Sequence, residues 1–244
     1  MRVFRESCLA TMPSLSSRVL SLVVPPLCAV CREPELAGRA LCPACRGRLV
    51  ALRDPRCRRC GAPVVHDGSR GCHECRSRAL GFDQAWSAFA YEGVAREVVG
   101  ALKSRGALVL VSYIANEIAA RAPAGLLAGT LVPVPAHARR RRSSGFNQAF
   151  EIAAALGCEG GLPVRDSLRR VRAPAQVGLE RRARLVNARG SASVRSGVAV
   201  PPRVVLVDDV YTTGATLDAC AQALRQAGAE EVVAVTFARA LRGA

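Results

Sequence analysis

Eight cysteines fall within 48 residues as four Cys-x-x-Cys pairs: "CAVC" at 28–31, "CPAC" at 42–45, "CRRC" at 57–60 and "CHEC" at 72–75. No other feature restricts this chain so tightly. The first two pairs are separated by 10 residues and the last two by 11, so the block is an internal duplication. A Cys-x-x-Cys turn presents two thiolates to one ion. Two such turns complete the closed tetrahedron of a structural zinc site. Pro43 and Gly61 suit the tight knuckles this requires. A disulfide framework would need an oxidising compartment. A redox Cys-x-x-Cys usually stands alone beside a βαβ unit, and iron–sulfur proteins of the ferredoxin type space their ligands more tightly. The expectation is two structural zinc ions, one on Cys28, Cys31, Cys42 and Cys45, the other on Cys57, Cys60, Cys72 and Cys75. The duplication favours this sequential grouping, with crossed pairing of the turns as the alternative. Closed sulfur shells leave no open position for metal catalysis. His66 and His73 read as bystanders, and Cys8, Cys158 and Cys220 as ordinary small residues.

Before the cysteines, Arg18 interrupts an apolar patch that ends at Pro25 and Pro26. The patch is shorter than the ~7–15-residue apolar region of a secretory signal. Residues 1–24 therefore read as an amphipathic lead-in helix, 25–80 as a double zinc-ribbon domain and 81–244 as a second domain. No apolar run reaches the length of a membrane span, and a cytoplasmic protein is expected.

The second domain alternates strand and helix patterns. "AWSAFAYEG" (85–93) reads as a strand and "VAREVVGALK" (94–103) as a helix. "ALVLVSYIANEIAARA" (107–122) is helical and "GTLVPVP" (129–135) a short buried strand. "SSGFNQAFEIAAALG" (143–157) is a loop and a helix ending on its glycine, and "LPVRDSLRRVR" (162–172) a strand. "GLERRARLVNARG" (178–190) reads as partly helical, "RVVLVDD" as a strand, "GATLDACAQALRQAG" (214–228) as a helix and "EVVAVTFARAL" (231–241) as the last strand. Such alternation implies an α/β fold with a parallel sheet.

The formal charge is +16, and 34 of the 35 basic residues are arginine. Residues 139–189 hold 12 Arg against 4 acids. That stretch would attract an anionic substrate or a nucleic acid, or form a solvated surface. Eight thiolates and two zinc ions would bring the net charge to about +12.

"VVLVDDVYTTGAT" (204–216) carries the chemistry. Ligands of an open parallel sheet bind beyond the carboxyl ends of its strands. The expected strand 203–207 ends at Asp208 and Asp209, two adjacent carboxylates that need a cation or hydrogen-bond donors to compensate them. A turn of small residues then enters a helix, and its exposed N–H groups form an anion cradle. Thr212, Thr213 and Thr216 add hydroxyls, and Gly214 lets a phosphate approach the backbone. The carboxylates would accept hydrogen bonds from a vicinal diol or hold Mg²⁺ through water. A phosphate next to a diol is a ribose 5-phosphate. A P-loop reading fails because no Gly-Lys-Ser/Thr follows.

The stretch resembles the 5-phosphoribosyl 1-diphosphate (PRPP) signature of type I phosphoribosyltransferases. With "PPLCAVC", "LKSRG", "LVPVPAHARRRRSSGFNQA" and "QVGLERRARLVNARG" in order, nearly the whole chain resembles the ComF family of competence-type proteins. The resemblance implies a type I phosphoribosyltransferase-like sheet behind the zinc ribbons. It implies that Asp208 and Asp209 bind the ribose diol and that Thr212, Thr213, Gly214, Ala215 and Thr216 hold the 5-phosphate. Arg139 follows the "VPVP" segment, beside which diphosphate and a mobile loop are expected, with His137 and Arg140 to Arg142. Gly145, Phe146, Asn147 and Gln148 match the family's Gly-Phe-Asn-Gln run. Gln176, Leu179, Arg184 and Asn187 match its Gln-x2-Leu-x4-Arg-x2-Asn pattern. Lys103, the single lysine, matches the family's Leu-Lys-x-x-Gly segment. An ammonium is not interchangeable with a guanidinium at a tight phosphate site.

Two functions follow from the resemblance. A transferase would bind PRPP with Mg²⁺ and displace diphosphate from C1 of ribose toward an unknown acceptor, with Asp208, Asp209 and Lys103 at the reacting end. A single-stranded DNA handling module in DNA uptake, working with competence-machinery proteins, would use the same fold for binding only.

Overall fold

The computed structural model describes residues 27–35, 39–64, 72–105, 107–136, 146–171 and 190–241. The expected lead-in helix 1–24 lies outside them. So do Cys8, His66, His137, Arg139 to Arg142, Gly145, Gln176, Leu179, Arg184 and Asn187.

The two zinc-ribbon units come first, with one short helix, α1 (Pro43–Gly47), inside the first. The second part begins with β1 (Gln84–Ala90), α2 (Gly93–Arg105), α3 (Val109–Arg121) and β2 (Thr130–Pro133). It continues with α4 (Gln148–Gly160), β3 (Leu168–Arg170), β4 (Ala192–Val194), β5 (Arg203–Tyr211), α5 (Ala215–Gln226) and β6 (Glu231–Arg239). The main sheet has the order β1-β6-β5-β2 and all its pairings are parallel. β3 and β4 form a separate antiparallel pair.

A parallel sheet covered on both faces needs apolar side chains on both. Val205 and Val207 of β5 face one apolar cluster with α2, α3 and α4, whereas Val204 and Leu206 face a second cluster with α5. The first cluster also takes in Cys28, Leu41 and Cys45, so the first ribbon shares a core with the sheet. Arg46 of α1 reaches the buried Glu117 of α3 at 3.1 Å, and Ala90 N–H donates to the Val50 carbonyl at 2.8 Å. The second ribbon docks on the same edge strand, where Ala85 N–H donates to the Arg59 carbonyl at 2.8 Å. Gly61 makes this approach possible: at φ 71°, a Cβ there would lie 2.4 Å from the Ala85 carbonyl oxygen.

Three expectations need correction. β5 does not stop at residue 207. Its pairing with β6 continues through Asp208↔Thr236 to Tyr211↔Arg239, because β6 runs far enough to satisfy the longer ladder. α4 does not end at Gly157 but passes through it to Gly160, and Gly161 takes the left-handed cap with φ 62°. Gly157 serves close packing instead: a Cβ there would lie 2.5 Å from Val164 Cγ2. Of the strand expected over 162–172, three residues form β3 and Val164 makes a lone parallel bridge to Leu131.

Candidate functional site

The zinc ligands group sequentially. The Sγ atoms of Cys28, Cys31, Cys42 and Cys45 lie within 4.8 Å of one another, and so do those of Cys57, Cys60, Cys72 and Cys75. Zinc–sulfur bonds of about 2.3 Å in a tetrahedron put sulfurs about 3.8 Å apart. The separations are 3.7 Å for Cys31–Cys42, 3.7 Å for Cys57–Cys75 and 3.6 Å for Cys60–Cys72. Burial, with the neighbouring thiols, pushes Cys45 up to about 12, and burial pushes Cys60 up to about 11. Four thiolates this close together require a cation between them, so the donor set and its spacing fit zinc. Cys220 is fully buried in α5, as expected of a small core residue.

A cavity of about 480 Å³ opens where β5 passes into α5. Lys103, Asp208, Asp209, Thr212, Gly214 and Thr216 all line it. Consecutive strand residues point to opposite faces. Asp209 is buried on the α2 side, and its Oδ2 lies 2.5 Å from Lys103 Nζ. Asp208 lies on the α5 side, where burial first and then its charge raise the Cys220 thiol. Its Oδ1 accepts the Asp209 N–H at 2.9 Å. The compensation that the adjacent carboxylates require is thus supplied from two directions.

Gly214 holds the turn. Its φ is 74°, and a Cβ would lie 2.4 Å from Tyr211 Oη, so a larger residue meets both backbone strain and the ring. Gly214 is also the N-cap of α5 and offers no side chain to the helix start. Thr213 turns inward: its Oγ1 accepts the Ala215 N–H at 3.3 Å. Thr212, Gly214 and Thr216 therefore face the cavity, while Thr213 and Ala215 shape the turn behind it. Asn147, Gln148, Arg170 and Tyr211 also line the cavity. Sequence reading reached Asn147 and Gln148 through the family run, but not Arg170 or Tyr211. Arg170 sits in an arginine-rich stretch where no single arginine stands out.

Fold and site together define a phosphoribosyltransferase-like domain behind a double zinc ribbon. The chain matches the double zinc ribbon domain family over residues 19–76 and the phosphoribosyl transferase domain family over residues 201–244. It is 33% identical to the DNA utilization protein YhgH of Salmonella typhimurium, over 90% of this chain and 100% of that protein. It is 28% identical to competence protein ComFC of Bacillus subtilis, over 77% and 79% of the two chains, and 28% identical to competence protein F of Haemophilus influenzae, over 87% and 96%. The chain belongs to the ComF family.

Proposed function

We propose that this chain is a cytoplasmic DNA-utilisation protein whose cleft binds PRPP with Mg²⁺, with residues 25–80 as its ribbon unit and 81–244 as its ligand-binding unit. The observation that carries the reading is the opening of a glycine turn, a helix start and two strand carboxylates on one cavity. Backbone N–H groups of the turn, with the Thr212 and Thr216 hydroxyls, hold the 5-phosphate. Asp208 and Asp209 accept the ribose hydroxyls, and Lys103, 2.5 Å from Asp209 Oδ2, holds that carboxylate in place. Arg139 and Arg184 supply further positive charge to the diphosphate. When bound, Mg²⁺ supplies charge against the leaving diphosphate.

In a transfer reaction the C1–O bond to diphosphate breaks, its electron pair leaves with diphosphate, and the acceptor forms the new bond at C1. Positioning and charge stabilisation are sufficient for such a step, and no protein nucleophile is needed.

Calorimetric titration of PRPP with Mg²⁺ into the zinc-loaded protein tests the reading. Saturable binding that disappears in an Asp208→Asn/Asp209→Asn variant is expected. No binding in the parent protein would sink it. The second reading, single-stranded DNA handling without catalysis, is favoured by the names of the relatives and by the arginine excess. Its mark is salt-sensitive oligonucleotide binding that the double variant leaves unchanged.

A further inference from the structure

Arg239, at the end of β6, is 2% exposed. A buried guanidinium requires hydrogen bonds and a counter-charge. One of its amino groups donates to the Cys60 carbonyl at 2.6 Å, and the other lies 3.8 Å from Cys60 Sγ and 4.0 Å from Glu74. Its nearest sulfur is therefore a ligand of the second zinc site. A zinc ion with four thiolates carries a net charge of −2, which suits this arginine as counter-ion.

The other face of Arg239 meets the ligand cleft. Its guanidinium carbon stands 4.0 Å from the centre of the Tyr211 ring, and that ring fills the space beside Gly214. A second tether runs parallel. Arg78 follows the last ligand of the same zinc site, with its own N–H bonded to the Cys75 carbonyl at 3.0 Å. Its guanidinium donates to the Thr213 carbonyl at 2.6 Å. Both knuckles of the second ribbon thus reach the same turn, one through Arg239 and Tyr211, the other through Arg78. The first ribbon is packed against α3 and the opposite cluster instead.

We propose that the second zinc site positions the anion-binding turn, with Arg239 and Arg78 as positioning residues, so that loss of this zinc opens the turn while loss of the first does not. For ligand affinity the proposal rests on the PRPP reading. For turn geometry it stands alone.

Amide hydrogen exchange of Ala215 and Asp218, whose N–H groups bond to Thr213 Oγ1 and to the Gly214 carbonyl within the turn, is the primary measurement in the ligand-free, zinc-loaded protein, and PRPP–Mg²⁺ titration the second. A Cys57→Ser/Cys72→Ser variant should exchange these amides at least about tenfold faster, whereas Cys31→Ser/Cys42→Ser should leave them as in the parent. Arg78→Ala, which removes one charge-assisted bond from a half-buried side chain, should accelerate exchange about tenfold with little change in the unfolding midpoint. Arg78→Lys should restore most of the protection. If the parent does not bind PRPP, the function fails but the exchange results still decide this proposal. The proposal is overturned if Ala215 and Asp218 stay as protected as in the parent in Arg78→Ala or in any folded second-site variant. It is equally overturned if the first-site variant opens the turn to the same degree.

Discussion

Lys103 of α2 and Asp209 of β5 meet at 2.5 Å in the wall of the cleft, the lysine side chain 24% exposed and the aspartate 8%. Removing one partner leaves a nearly buried carboxylate unpaired. Lys103→Met should therefore lower stability by about 1–3 kcal/mol, read by urea unfolding. Adding Asp209→Asn should recover most of that loss, because the uncompensated charge is gone. Additive losses would mean that the two side chains are not energetically coupled.

Gly214→Ala should disturb the cleft more than the fold. The new methyl meets Tyr211 Oη, and the left-handed backbone is strained for alanine. We expect about 1–3 kcal/mol of destabilisation and at least about a tenfold loss of PRPP affinity. Unchanged affinity by calorimetry would show that the turn tolerates a side chain and does not contact the ligand through its backbone.

Elemental analysis should find two zinc ions per chain, one for each cysteine cluster. Zinc holds its thiols ionised, which is the case of groups with depressed folded-state pKa. The stability this confers is present at neutral pH and is lost as pH falls and protons displace the metal. Zinc release on acidification, followed with a chromogenic chelator, should coincide with loss of tertiary structure in the ribbons. Metal-free protein with unchanged ribbon exchange would contradict a structural role.

Glu117 is 5% exposed and shared by Arg46 and Arg121, which are 64% and 43% exposed. Arg46→Ala alone should cost at most about 1 kcal/mol, as expected of a surface partner with a substitute at hand. Arg46→Ala/Arg121→Ala leaves the carboxylate without a cationic partner and should cost about 3 kcal/mol, well above the sum of the single changes. Denaturant melts of the single and double variants test this directly.

Much of this architecture can be read from local pattern. The duplicated spacing of the cysteine turns favours the sequential pairing, and the sulfur clusters decide it against the crossed one. The strand and helix periods of the second part place β1, α2, α3, α5 and β6 close to their observed bounds, and the start of β5. The divergence of Asp208 and Asp209 follows from the two-residue period of a strand, once β5 is known to continue beyond them. What local pattern does not carry is partnership across the chain. The Cys60–Arg239 bond joins residues 179 apart, and nothing in "TFARAL" separates that buried arginine from 33 others. β4 escapes for a different reason: three residues of strand leave too little periodicity to stand out from a loop.

The place of β6 between β1 and β5 has a consequence for biosynthesis. During translation β1 and β5 both emerge before the strand that joins them. Until residues 231–239 follow, each presents an open, apolar edge with no partner, and the long-range pairing that closes the sheet is delayed to a late step. A nascent chain stalled before β6 is thus a candidate for chaperones and for intermolecular strand pairing, although both ribbons and every helix named here have already been made.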